Sequence, residues 1–227
     1  MLGTVVNSIL IIVGALIGVL LKNGLKDNYK DTIINGLGLT VIVLGLKDAL
    51  TAENTLLVIL SVAIGSFIGE LLNIEKNLEK FGDFIEKKMG KGDSNFSKGF
   101  VTTSLIYCVG AMAITGALKS GLTGEHDTLI AKGVIDGITA IVFASTLGIG
   151  VMFSSVSVFL YQGLITISAV YLKDYLLEPS VQANMVAVGG ILIMAISINI
   201  LEIKKIKVGN MLPAVFIPLV YYAIMNL

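Results

Sequence analysis

The residues that could do chemistry in this chain are few, and they sit in apolar surroundings. Asp136 stands directly before a run of 36 residues, Gly137 to Leu172, that carries no charge. Thr139 follows it at i+3, and Ser145 lies further along the same apolar element. A carboxylate at membrane depth costs several kcal/mol unless it is paired, hydrated or protonated, which makes Asp136 a candidate carrier of a proton or cation. The plainer alternative puts it one turn into a helix, near the headgroups and bridged to Lys132 at i−4. Gln162 has ten or more uncharged residues on each side. A serine can bond back to its own helix, but this amide needs a partner helix or a watery cavity. Asn7 in the first apolar run, Asn199 near the end of the seventh and Asn210 before the last form a comparable set, for which structural bonding between helices is the plainer reading. Asp136, Thr139, Ser145, Gln162, Asn7, Asn199 and Asn210 are therefore the candidate substrate- or ion-binding residues. Glu70, one residue past Gly69, reads as an interfacial helix end.

Catalysis has little to stand on. The sequence holds no HExxH, no GxSxG and no GxxxxGK[ST], and it has one histidine and one cysteine, Cys108. Glu125-His126-Asp127 resembles a metal cluster on paper, but consecutive loop residues rarely converge on one ion, and Asp127 suits a helix N-cap better. The expectation is no enzyme, no cofactor and no metal.

The elements that must position these residues are set by composition. The chain has 227 residues, 55% of them hydrophobic and only 14% charged, with a mean hydropathy of +0.91. Ordinary globular chains run at about 25% charged, so the solvent for most of this surface must be lipid. All 16 basic residues are lysines, and without arginine's bidentate fork a nucleic-acid partner is excluded.

Charge-free runs at residues 1–21, 32–46, 54–69, 99–118, 137–172, 179–201 and 208–227 predict an all-α polytopic transmembrane bundle. The 36-residue run is too long for one span, and Gly148-Ile149-Gly150 is its natural break, giving eight helices, with seven as the alternative. The fifth helix is expected to open at Gly133. The second and third runs, at 15 and 16 residues, are short enough to be tilted, broken or re-entrant. Pro213 and Pro218 can kink or break the last helix. No basic n-region or A-x-A site precedes Lys22, so the first helix is expected to be retained. Twelve lysines fall in the odd-numbered loops and four in the even ones, which predicts both termini outside the cytoplasm. Between residues 74 and 98, Ile74, Leu78, Phe81, Ile85 and Met89 alternate with Lys and Glu at helical spacing, predicting an amphipathic helix along the cytoplasmic headgroups. Gly14-x-x-x-Gly18, Gly65-x-x-x-Gly69 and Gly133-x-x-x-Gly137 offer close helix packing.

The chain also carries internal similarity. Residues 13–20 and 38–43 align with 111–118 and 137–142, and a rival alignment pairs Gly38 to Leu46 with Gly190 to Ile198. Either one relates helices an odd number of spans apart, so the repeats would be inverted, a device of transporter folds. The resulting organisation is a first half at 1–74, a linker helix at 75–98, and a second half with extra C-terminal helices at 99–227.

Asp136-Gly137-Ile138-Thr139-Ala140-Ile141-Val142-Phe143-Ala144-Ser145-Thr146-Leu147-Gly148-Ile149-Gly150-Val151, followed by Tyr161-Gln162-Gly163, resembles the YqgA/YdfK-like family of bacterial inner-membrane proteins. So do Leu122-Thr123-Gly124 and the segment from Lys205 to Ala214. The resemblance covers essentially the whole chain and implies a prokaryotic cytoplasmic-membrane protein, a suspected transporter of no stated substrate. One departure is Ser197, where the family tends to have glycine. The expected function is secondary transport of a small solute or ion by alternating access, coupled to a proton or cation through Asp136. An ion channel, or a non-transporting scaffold or subunit, is the competing reading. The expected partners are the lipid bilayer and that solute or ion, with a homo-oligomer left open.

Overall fold

The computed structural model describes residues 1–22, 27–89, 96–109, 111–176 and 178–225, and the described residues are helical with no strand. The helices are α1 (Leu2–Lys22), α2 (Asp27–Ala49), α3 (Thr55–Leu72), α4 (Ile74–Met89), α5 (Phe96–Val109), α6 (Ala111–Leu122), α7 (Asp127–Leu147), α8 (Gly150–Leu176), α9 (Pro179–Ile200) and α10 (Ile217–Met225). A 3-10 helix, Val208–Phe216, leads into α10. Seven segments are long and apolar enough to cross a membrane, and α5 with α6 forms an eighth that is bent by 74°. The protein is a polytopic helical membrane bundle.

Local chemistry sets the boundaries. The side chain of Asn54 accepts from Leu57 N at 3.0 Å and caps the start of α3. Asn73, at φ 49°, ends it in the left-handed conformation. Gly148, at φ 82°, turns the chain between α7 and α8, at the break the sequence predicts. Pro213 lies inside the 3-10 helix and Pro218 at the start of α10, so the prolines break the last span. The short second and third runs become full helices of 23 and 18 residues because their charged flanks join the helix. Two expectations are corrected. The fourth helix is not continuous from 99 to 118 but is split into α5 and α6. The fifth begins at Asp127 rather than Gly133, because Lys132 is neutralised by Asp136 and buried within the helix. The residue before it, His126, takes the N-cap position that the sequence suggests for Asp127. α4 forms where an amphipathic helix is expected; the side chains of Phe81, Ile85 and Met89 on its stripe lie outside the described residues.

Glycine decides how the helices meet. A Cβ on Gly14 would stand 2.0 Å from the carbonyl oxygen of Gly137, and one on Gly18 would stand 2.2 Å from that of Ile141. Gly133 faces Asn7 and Gly3 faces Leu129, so α1 and α7 run side by side in the same direction, with glycines at each close approach. For two such helices to be parallel, with α2 and α3 between them and α4 amphipathic, α5 and α6 must carry the chain across once more. The bent pair is a broken span. α2 packs on α9 and α3 on the 3-10 helix, both antiparallel, through Gly45 against Gly190, Gly65 against Ala214 and Gly69 against Asn210. Ser197 Oγ donates to the carbonyl of Gly38, tying α9 to α2.

Candidate functional site

α7 brings Asp136 to the middle of the bundle. Asp136 is the tenth of the 21 residues of α7, which puts it about 13 Å along the helix axis from its start. Lys132 Nζ forms an ion pair with Asp136 Oδ2, and both side chains are 7% exposed. The bridge to Lys132 therefore forms, but near mid-span, not at a headgroup-level helix end. The sequence left the depth open because it was read from charge-free runs, and a mutually neutralised pair inside a helix interrupts such a run. The same ammonium lies 5.7 Å from the centroid of the Tyr107 ring, on α5 one turn before its break. Thr139 Oγ1, half-buried, donates to the carbonyls of Ile135 and Asp136 at 3.0 Å and reaches Tyr107 Oη at 3.3 Å.

α1 and α8 supply the facing wall. Asn7 Nδ2 donates to Gln162 Oε1 at 3.4 Å, with both residues fully buried. Asn7 also packs on Gly133, one turn before Asp136 on α7, so three helices converge there. Next to Asn7, Ser8 Oγ donates at 3.3 Å to the carbonyl of Ser155, about two turns before Gln162 on α8. Four buried side-chain atoms in this region have no hydrogen-bond partner among the described residues: Thr4 Oγ1, Asn7 Oδ1, Gln162 Nε2 and Thr166 Oγ1. Unsatisfied buried polar groups are scarce in native proteins, and each calls for an explanation. Thr4, Thr166, Tyr107 and Lys132 were absent from the candidate set. The spacings Thr4-x-x-Asn7 and Gln162-x-x-x-Thr166, which place each pair on one helix face, were the available signal.

The structure brings together Asp136, Thr139, Asn7 and Gln162 and leaves three candidates elsewhere. Ser145 Oγ donates to the carbonyl of Val142, as a helix serine commonly does. Asn199 exchanges two hydrogen bonds with the backbone of Ile206, at 2.8 and 2.7 Å, and so shapes the turn after α9. Asn210 accepts from Glu75 N at 2.7 Å and donates to Glu70 Oε2 at 2.6 Å, while Glu75 accepts from Gly209 N at 2.9 Å. These bonds dock the 3-10 helix on α3 and α4. Glu70 also pairs with Lys207 Nζ at 2.6 Å and holds that ammonium above its usual range.

At the end of the bundle where α7 and α9 finish and α5 begins, a cavity of about 610 Å³ opens among Val101, Thr102, Leu147 and Ile200, lined also by Lys98, Lys204 and Lys205 and by the carboxylates of Glu75, Asp83 and Glu202. Lys98 pairs with Glu202 at 2.9 Å across its mouth. Asn199 lines this cavity rather than the Asp136 cluster.

The comparisons with known proteins give a family and no activity. The chain is 34% identical over 227 residues to the uncharacterized membrane protein YdfK of Bacillus subtilis, covering 96% of this chain and 94% of that one. It is 28% identical over 221 residues to the uncharacterized protein YqgA of Escherichia coli, covering 95% and 94%. No solved structure matches it. The model of the family described as protein of unknown function DUF554 matches residues 2–223, and the chain belongs to that family.

Proposed function

We propose that this chain is a secondary transporter that moves a small solute across the bacterial cytoplasmic membrane by alternating access, with both termini outside the cytoplasm and no catalytic reaction. The observation that carries this reading is the mid-span cluster: a buried Lys132–Asp136 pair facing Asn7 and Gln162, with four polar atoms left unbonded among the described residues. Ionisable groups at that depth are expensive and mark pathways for substrates or ions. The broken span α5–α6 brings Tyr107 to the same cluster, and discontinuous helices commonly form transporter sites.

Two further observations support it. The first is the packing symmetry. α1 lies on α8, α2 on α9 and α3 on the 3-10 helix leading to α10, each pair antiparallel, in the same order along the chain. The contacts of α2 with α9 repeat under the offset of the second internal alignment, Gly38 onto Gly190. Gly38 meets Leu201, and its image Gly190 meets Ala49; Gly45 meets Gly190, and its image is the Gly38–Ser197 bond. An inverted repeat of α1–α3 and α8–α10 would produce these pairs. On this reading 1–74 is one half, 75–98 the linker, and the counterpart half lies at the end of 99–227, with α5–α7 between. The second is the cavity, which opens at the lysine-bearing end while the polar cluster is enclosed, the asymmetry expected of one of two access states.

The test is uptake into proteoliposomes across a panel of amino acids, organic acids, polyols, amides and inorganic ions, with Asp136→Asn alongside. Saturable uptake that this substitution abolishes supports transport. Conductance that does not saturate indicates a channel. No flux for any solute, with Asp136→Asn altering only stability, indicates a scaffold.

A further inference from the structure

Resting on the transport reading, we infer that the solute is uncharged and carries both a hydrogen-bond donor and an acceptor, and that it binds between α1 and α8 at Thr4, Asn7, Gln162 and Thr166. The register of the two helices places these four residues together. Asn7 bonds Gln162, Ser8 bonds the carbonyl of Ser155, and Gly163 faces Met1, so α1 and α8 run antiparallel. Thr4 lies one turn from Asn7 toward the start of α1 and Thr166 one turn from Gln162 toward the end of α8, so both stand on the same side of the Asn7–Gln162 contact. The free atoms form a two-tier set along one seam.

Their chemistry is complementary to a neutral molecule. Asn7 Oδ1 can only accept, Gln162 Nε2 can only donate, and the two threonine hydroxyls do either. A ligand with one kind of group leaves at least one of them unsatisfied. The charge inventory excludes ions. Lys132 and Asp136 already compensate one another, and α1 from Leu2 to Leu21 and α8 from Gly150 to Leu172 contain no Asp, Glu, Lys or Arg. An anion or cation entering this seam would find no counter-charge unless it broke the buried pair, which leaves one uncompensated charge for another. An uncharged amide or polyol meets the four atoms without that cost.

An isosteric series separates charge from shape. Purified protein is titrated at constant ionic strength with acetamide, acetate and ethylammonium, with glycerol as a second uncharged probe, and thermal stability is read. A ligand that binds the folded state raises the unfolding temperature by mass action. The expected result is a saturating rise with acetamide or glycerol and none with acetate or ethylammonium. Thr4→Val and Thr166→Val should weaken the response at least tenfold while leaving the ligand-free protein as stable as the parent, since the hydroxyl removed has no partner among the described residues. Osmotic reswelling of proteoliposomes in the same solutes, against protein-free vesicles, gives the flux. Stabilisation by acetate or ethylammonium, sensitive to the threonine variants, overturns the uncharged class and leaves transport standing. So does loss of stability in the two valine variants without ligand, because it assigns the hydroxyls a structural role. Absence of any response together with absence of facilitated flux for the whole panel overturns both readings.

Discussion

The Lys132–Asp136 pair makes the sharpest prediction, because its energetics depend on where it sits. An exposed i,i+4 pair on a helix is worth about 0.3–0.5 kcal/mol. A buried one behaves differently: removing one partner costs about 3–5 kcal/mol, because the other is left uncompensated, while replacing both with apolar groups of similar volume is close to neutral or stabilising. With both side chains 7% exposed and packed against Tyr107 and Asn7, this pair belongs to the second case. For a chain of this size 1 kcal/mol moves the unfolding temperature by about 2–4 °C. Lys132→Met and Asp136→Leu should therefore each lower it by about 6–20 °C, and the double variant should recover most of that loss. The assay is thermal unfolding of the four proteins in one detergent, read as a double-mutant cycle with a coupling energy of several kcal/mol. Single variants within about 2 °C of the parent, or a double variant as unstable as the sum of its parts, would show that the pair is solvated and refute the mid-span placement.

Five further outcomes follow. Gly14→Ala puts a Cβ 2.0 Å from the Gly137 carbonyl oxygen and should destabilise by about 1–3 kcal/mol. Gly36→Ala on α2, with nothing within 4 Å, should gain up to about 1 kcal/mol in the same unfolding assay. Ser197→Ala removes the bond to Gly38 and should cost about 1 kcal/mol, read as the change in unfolding temperature. The Glu202 carboxyl is held below the usual carboxylate range by the hydrogen bond and charge of Lys98, so the contribution of this pair is complete above pH 4.5 and is lost as pH falls through the lowered value. A nitroxide on Ile203→Cys should become more mobile in that acid window, and Glu202→Gln should be mobile throughout. A periplasmic phosphatase fused after Leu227 should be active and a fluorescent protein there dark, the opposite of a fusion after Gly92; the reverse pattern refutes the lysine-based orientation.

The sequence by itself determined the membrane class, the break at Gly148 and the proline-broken last span, because each rests on local properties: apolar run length, glycine conformation and the missing amide of proline. It also pointed to Asp136, Asn7 and Gln162, since a polar group costs most where its neighbours along the chain are apolar. The tertiary structure decided which of those groups meet. Asn7 and Gln162 are 155 positions apart and touch only because α1 lies antiparallel on α8, while Asn199 and Asn210, indistinguishable from them by sequence, are used up elsewhere, Asn199 in the turn after α9 and Asn210 in docking the 3-10 helix on α3 and α4. Depth was the other quantity only the fold could give. A carboxylate four residues after a lysine reads alike near a helix end and at its middle, and what separates the two is where α7 begins and what packs around it, which the charge-free runs do not contain.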